Sequence, residues 1–470
     1  MTTLNGRRGG TVTRVGVALS GGGHRASVWA AGLLLYLADA GRNGDVGVIA
    51  SVSGGSITNG VVAQQVDYRQ ARADEVREGL GPLLHHIAYI GLFFWGPSTN
   101  LYVITVLGVL GLGLLGFLAG LVMAFVTGIG IAAGIVLVAS LVVLAAGVVI
   151  FARRSIVVDR ALARTHFSRQ GRPTGLASVA RSLDHVFCAT ELQAGEHFYL
   201  SPRFLYSYRF GCGEPGGLAL STAVQASACL PGAFAARRLD TAPHQFQRSA
   251  EVTEPPAVPG QMLVTDGGVY DNMADQWAAG LAGRVRDNAA LDIRTTGLDE
   301  LVVANASAGP PWTTVKASWL PIRNELSTLG RVKDVQYAVS TSTRRHDLVN
   351  AWEIAARAGH GVTGALVHIA QSPFEVPDAF AQDDRLPDRA ARAREAITWL
   401  GGSDANRAAW AAVAEESRTL PTVLRKLGPD ATARLLWHAY VLAACNLHVL
   451  LPAYPLPPLP TEEEFRELIG

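Results

Sequence analysis

Three short stretches carry residues whose types and spacing could act together. Ser53 sits in Ser51-Val52-Ser53-Gly54-Gly55, a glycine loop runs through Ser20-Gly21-Gly22-Gly23-His24-Arg25, and Asp266 opens Asp266-Gly267-Gly268. A serine at a sharp strand-to-helix turn exposes its hydroxyl, and the helix N-terminus adds a positive field. Gly54 and Gly55 let such a turn close without a Cβ clash. The pattern approximates the G-x-S-x-G nucleophile elbow, with Ser51 in place of the leading glycine. Gly21, Gly22 and Gly23 can aim N–H groups at a developing oxyanion, and Arg25 can place a charge nearby. An ionised Asp266 can take the serine's proton. Its reference pKa of about 3.9 matches an alcohol poorly, so burial or the glycine loop must contribute. The chemistry implied is acyl transfer through an acyl-enzyme.

Each loop must be delivered by a secondary-structure element. Val15–Leu19 reads as a buried strand, and Ala26–Ala40 continues with helical apolar spacing. Val46–Val52 is a second strand, followed by a helical Ser56–Gln65. A strand–helix–strand–helix unit normally gives parallel neighbours. The glycine loop and Ser53 then share the carboxyl ends of adjacent strands, where open sheets place their sites. Gln261–Thr265 is a third short strand that ends at Asp266. The glycine loop also satisfies G-x-G-x-x-A across Gly21, Gly23 and Ala26. A dinucleotide site would want an acidic residue at the end of the second strand, and Ser51 and Ser53 stand there instead.

The 470-residue chain holds 40 Lys plus Arg against 39 Asp plus Glu, a net charge of +1 that gives no pull toward nucleic acid. Charged residues are 17% and hydrophobic ones 49%, which argues against a wholly soluble protein. The apolar excess is concentrated. From Gly79 to Ala152 there is no Asp, Glu, Lys or Arg, and Leu101–Phe151 is a nearly unbroken apolar run. One bilayer crossing takes about 20 apolar residues, so this run holds two, Leu101–Val126 and Ile131–Phe151, with a turn at Thr127–Gly130. Gly116 with Gly120, and Gly130 with Gly134, give small-xxx-small spacing for close helix packing. Tyr89, Phe93, Phe94 and Trp95 precede the run as interfacial aromatics. Arg153, Arg154, Arg160, Arg164, Arg169 and Arg172 follow it, opposed only by Asp159, and favour the cytoplasmic side. Cys188, Cys212, Cys229 and Cys445 have no zinc-ligand spacing, which fits a reducing compartment. The N-terminus carries no signal-peptide core.

With these loops in this order, the chain resembles the patatin-like phospholipases, lipid acyl hydrolases that use a Ser–Asp dyad. Further likeness lies in Phe187–Leu192, in Ala226–Phe234 and in Tyr270-Asp271-Asn272. The resemblance covers most of the chain outside the apolar run. It departs at Ser51 and at Ala26, where many family members have glycine, and the apolar hairpin is not part of the family pattern. What it implies is an α/β, three-layer fold with a mainly parallel central sheet, here with an inserted two-helix transmembrane hairpin. It further implies Ser53 as nucleophile, Asp266 as base, Gly21, Gly22, Gly23 and Arg25 around the oxyanion, and no metal or cofactor. The expected substrate is a membrane phospholipid or lysophospholipid.

The expected organisation is a tail at 1–13, a catalytic domain at 14–98 and 153–455 interrupted by the hairpin at 99–152, and a tail at 456–470. Ser53 precedes the hairpin and Asp266 follows it, so the two share one side of a bilayer only if the chain crosses an even number of times. Asp240–Pro259, rich in Pro, Gln and Thr, could form a lid. Two alternatives stay open. One is a Ser-His-Asp esterase or neutral-lipid hydrolase drawing on His346, His360, His368, His438 or His448, and the other is a non-catalytic membrane-anchored binding protein.

Overall fold

Val15–Leu19 (β1) and Val46–Ser51 (β2) are buried along their whole length, as strands covered on both faces must be. A computed structural model describes residues 14–92, 99–128, 130–249, 252–287, 291–309 and 321–470. The expected N-terminal tail, the aromatics Phe93, Phe94 and Trp95, and Ile129 of the expected turn lie outside the described residues.

After β1 the chain enters α1 (Gly23–Asp39), and after β2 it enters α2 (Gly54–Gln65) and α3 (Ala73–Tyr89). The two apolar helices α4 (Asn100–Thr127) and α5 (Ile131–Ala152) follow, then α6 (Arg154–Thr165). A two-residue ladder joins β3 (Ser168–Arg169) to β4 (Arg172–Pro173). Then come β5 (Asp184–Glu191), β6 (Glu196–Leu200), β7 (Leu205–Ser207), β8 (Gly211–Gly213) and α7 (Leu220–Ser227). The last strands are β9 (Arg237–Asp240), β10 (Gln261–Asp266), β11 (Glu300–Asn305) and β12 (Thr363–His368).

Ten strands form one sheet in the order β12-β11-β1-β2-β5-β6-β7-β8, with β10 and β9 joined to β5. The centre, β12 through β5, is parallel. From β5 to β8 the ladder is antiparallel, and so are the β5–β10 and β10–β9 pairs. The sheet is therefore mixed, parallel where the first two loops emerge. Apolar cores lie on both faces. One is built from α1, α2, α3 and the buried helix Pro429–Leu450, and the other from Trp277, Leu281 and Trp352 over Ala18, Val48 and Val303. Gly32 is the point of closest helix approach, since a Cβ there would lie 2.5 Å from Ala439 Cβ and 2.8 Å from Leu436 O.

The helices α4 and α5 are each long and apolar enough to cross a membrane. They stand out from the sheet with Leu101, Phe125 and Ile131 at 79%, 92% and 86% exposure. Gly116 and Gly120 do face the partner helix, meeting Ser140 and Leu137. Gly130 and Gly134 do not; a Cβ on either would meet nothing, because they lie at the loose N-terminal end of α5. Gly113 and Gly147 fill that role instead, against Leu144 and Leu110. Tyr102 Oη closes the base by donating to Ile150 O at 3.0 Å and Phe151 O at 3.1 Å.

Asp159 does not oppose the arginines at the surface. It is buried and accepts from Ser221 Oγ at 2.6 Å, Thr222 Oγ1 at 3.0 Å and Arg237, pinning α6 to α7. The described part of the segment that could form a lid is bonded to β8 and its flank. Gln247 exchanges backbone hydrogen bonds with Cys212 at 2.6 and 3.0 Å, and His244 O accepts from Glu214 N at 2.7 Å. These bonds lay the segment along β8, and none of its described residues lines the cleft described next.

Candidate active site

The three loops converge because of how the strands meet. β2 and β10 lie on the same edge of β5 and run toward each other. Ser51, the last residue of β2, pairs with Phe187, and Asp266, the last of β10, pairs with Ala189. Two residues of β5 span about 7 Å. The turn holding Val52 and Ser53 and the loop opening at Gly267 must share that gap. A Cβ on Gly267 would lie 3.1 Å from Val52 Cγ2 and would overlap Cys188 O, so only glycine passes there.

Ser53 takes φ 50° and ψ −117°, immediately before the first turn of α2. A non-glycine residue in such a region costs roughly 1–3 kcal/mol and persists only where its surroundings hold it. Here they do. Ser53 N–H donates to Ser227 O at 3.1 Å and to Ser227 Oγ at 3.2 Å, and Ser227 Oγ donates to Cys188 O at 2.6 Å. Beneath the turn, Ser56 Oγ donates to Ser51 Oγ at 2.9 Å, and Asn59 Nδ2 donates to the same oxygen at 2.9 Å. Ser51 is thus a strand residue with an anchored hydroxyl, which is why the first elbow position needs no glycine. Gly54 does need to be one, because a Cβ there would overlap Gly23 O. Gly55 meets Leu19 O at 2.6 Å in the same sense.

The glycine loop differs from expectation at Gly21. Its N–H donates to Asn272 O at 2.9 Å and is committed to holding the aspartate loop. No backbone carbonyl among the described residues accepts from the N–H groups of Gly22 or Gly23, and both residues have positive φ. Arg25 is 6% exposed, donates Nη1 to Leu420 O at 2.5 Å, and has no carboxylate partner among the described residues. Burial draws its guanidinium down to about 10.

Asp266 is buried, and its Oδ1 accepts from Gly268 N at 2.7 Å. Its own N–H donates to Cys229 O at 3.1 Å. Asp271 accepts from Met273 N and Gln276 N, and Arg344 pairs with Asp275, so the segment after Asp266 is pinned to the helix Pro321–Ala358.

Ser53, Asp266, Gly21, Gly22 and Arg25 all line one cleft of about 850 Å³. Much of its remaining wall comes from residues the sequence did not single out, Leu230 and Asn272 being exceptions. Tyr337 and Arg345 project from the helix Pro321–Ala358, Leu420 and Thr422 from the segment after the helix Asp404–Thr419, and Leu230 from the loop after α7. His368, one of the histidines named for the Ser-His-Asp alternative, also lines it, at the carboxyl end of β12. Three ladder steps separate β12 from β2, roughly 14 Å. Its Nε2 faces Arg345 Nη1 and Ser307 O, each at 3.2 Å, and burial lowers the imidazole to about 4. His438 is buried between Ser417 and Gln371, and His448 against Tyr454 O. None of His346, His360, His438 or His448 lines the cleft. Among the described residues no His, Cys, Asp and Glu side chains cluster as metal ligands.

Both feet of the hairpin are bonded to segments of the cleft wall. Leu92 N, ahead of α4, donates to Leu424 O at 2.7 Å in the strand-like segment that continues from Leu420 and Thr422. After α5, Arg154 Nε donates to Ala233 O at 2.7 Å and Ser155 Oγ to Ala235 O at 2.5 Å, in the loop that carries Leu230.

No protein-family model matches the chain, and no curated protein matches it. Among solved structures it is similar to human GIVD cytosolic phospholipase A2, at 11% identity and a TM-score of 0.39 over 63% of this chain and 46% of that one. The same human enzyme in complex with methyl gamma-linolenyl fluorophosphonate and terbium chloride gives 15% and 0.25, over 43% and 25%. VipD from Legionella pneumophila gives 13% and 0.27 over 98% of this chain and 90% of that one. The chain spans less than half the length of the human phospholipase it matches.

Proposed function

We propose that this chain is a membrane-anchored serine lipid acyl hydrolase of the patatin-like type, acting as a phospholipase A or lysophospholipase. The observation behind the reading is that β2 and β10 meet end to end on β5, with a serine of positive φ at a helix N-terminus and a buried aspartate both lining one cleft. Ser53 Oγ attacks the acyl carbonyl carbon while Asp266 takes the hydroxyl proton. The carbonyl π electrons move to oxygen, where the N–H group of Gly22 and the α2 N-terminus receive the charge, Gly23 lying outside the cleft lining. Collapse breaks the ester bond, and the proton on Asp266 goes to the leaving alcohol. Water then repeats the sequence on the acyl-serine, releasing a fatty acid and restoring Ser53.

The guanidinium groups of Arg25 and Arg345 line the cleft without a carboxylate partner among the described residues, which suits an anionic head group. The hairpin is read as two spans, with the arginine-rich segment after α5 and the catalytic domain on the cytoplasmic side. Because its feet are bonded to two walls of the cleft, a lipid reaches Ser53 from the leaflet without crossing water. The test is fluorophosphonate labelling of the purified chain with a Ser53→Ala control, followed by mass spectrometry of fatty acids released from mixed-lipid vesicles. Labelling that survives Ser53→Ala removes Ser53 as nucleophile. Release from acylglycerols in preference to phospholipids assigns the enzyme to neutral lipid instead.

A further inference from the structure

Asn272 joins the elements that bear the two reacting side chains. Its backbone oxygen accepts from Gly21 N–H at 2.9 Å, and its Nδ2 donates to Ser307 Oγ at 2.7 Å, just beyond β11. The second bond turns Oδ1 the other way, into the cleft. A Cβ on Gly21 would collide with that oxygen while lying 3.2 Å from Ser53 Cβ. A Cβ on Gly268 would meet the same oxygen at 2.6 Å, Asp266 Oδ1 at 2.9 Å and Tyr337 Cε1 at 3.2 Å. One carboxamide oxygen therefore occupies the gap bounded by the glycine loop, Ser53 and the Asp266 loop.

We infer that Asn272 is a positioning residue for the Ser53–Asp266 pair, spacing the glycine loop from the aspartate loop and turning only an acceptor toward Asp266. A carbonyl oxygen has no proton to give. Beside a carboxylate it makes negative charge costlier and so favours proton uptake from Ser53, whereas a reversed amide would donate to Asp266 and blunt it as a base. In this arrangement Ser307 Oγ accepts from Nδ2 and holds that end of the amide away from Asp266. Tyr337 from the helix Pro321–Ala358 and Cys229 from the loop after α7 also face Asp266. Burial pushes both of their ionisations up, so both stay neutral near pH 7. On its own loop, Asp271 is committed to two backbone N–H groups.

This inference rests on the hydrolase reading. The test uses the full chain in detergent with a soluble ester, with kcat and KM followed across pH and scaled to folded protein. Asn272→Asp keeps the shape and adds a charge next to Asp266, so the acid limb of the rate profile moves up by about one pH unit. Asn272→Leu lowers kcat by about 100-fold with KM nearly unchanged. Ser307→Ala, which touches neither reacting group, frees the amide to rotate and lowers kcat by about tenfold. The role is overturned by an acid limb in Asn272→Asp that coincides with wild type, or by losses confined to KM. Should Asn272→Asp fail to fold, unchanged kcat in Ser307→Ala decides against it. A wild-type chain that neither cleaves ester nor takes fluorophosphonate sinks the hydrolase reading, and this inference with it.

Discussion

Ser53 and Asp266 reach the same gap from opposite directions along one edge of β5, two residues after Ser51 pairs with Phe187 and at the point where Asp266 pairs with Ala189. In sequence they are separated by the apolar hairpin. In the sheet only one residue of β5, Cys188, lies between the positions where their strands pair.

Ser53→Gly should abolish turnover while raising stability. Glycine adopts φ 50° freely, so the strain at this turn is released by about 1 kcal/mol. Thermal unfolding beside an ester assay checks it. A lower melting temperature would mean that the hydroxyl itself holds the turn.

Asp266→Asn should cost about 10³-fold or more in kcat and leave the fold intact, because the amide still fills the loop but takes no proton. Circular dichroism with single-turnover kinetics separates the two effects. Substantial residual turnover would assign the base elsewhere, with His368 the first group to replace.

Gly54→Ala should cost about 2 kcal/mol or more of stability and most of the activity. The new methyl overlaps Gly23 O and must push the glycine loop away from Ser53. Gly217→Ala, where a Cβ meets nothing within 4 Å, is the control and should be neutral. Urea unfolding of both variants gives the comparison.

Replacing Val103–Val149 by a short Gly-Ser linker should spare hydrolysis of a soluble ester and weaken action on vesicle lipid. Tyr102 already touches Ile150 and Phe151 across the base, so a few residues bridge the gap. Equal loss of both activities would remove the hairpin's role in lipid access.

Acid should destabilise the fold through histidines buried in their neutral form. Burial lowers His24 from 6.5 to about 4, and His185 to about 3. The unfolded chain therefore binds more protons below pH 6.5, and stability falls as pH drops from about 6.5 toward 4, by on the order of 3 kcal/mol for His24 alone. His24→Gln should flatten that part of the urea-midpoint curve. A curve unchanged by the substitution would place the acid sensitivity elsewhere.

Much of this was legible in the chain. Val15–Leu19 and Val46–Ser51 are apolar runs too short for helices, and each ends in a glycine turn. That fixed the parallel pair and placed the glycine loop and Ser53 at its carboxyl edge. The apolar helices were equally plain, since no charge interrupts them. What the sequence determined was local: which residues pair hydroxyl, glycine and carboxyl with a strand end. The tertiary structure decided which of those ends meet. β10 joins β5 antiparallel, collinear with β2, an arrangement set by hydrogen bonds between residues about 75 positions apart that no periodicity encodes. Tyr337 and Arg345 entered the site, His368 joined its wall while the other four candidate histidines did not, and Gly21 N–H was withdrawn from the oxyanion, for the same reason: contacts between distant loops obey sheet register and packing, not neighbouring sequence.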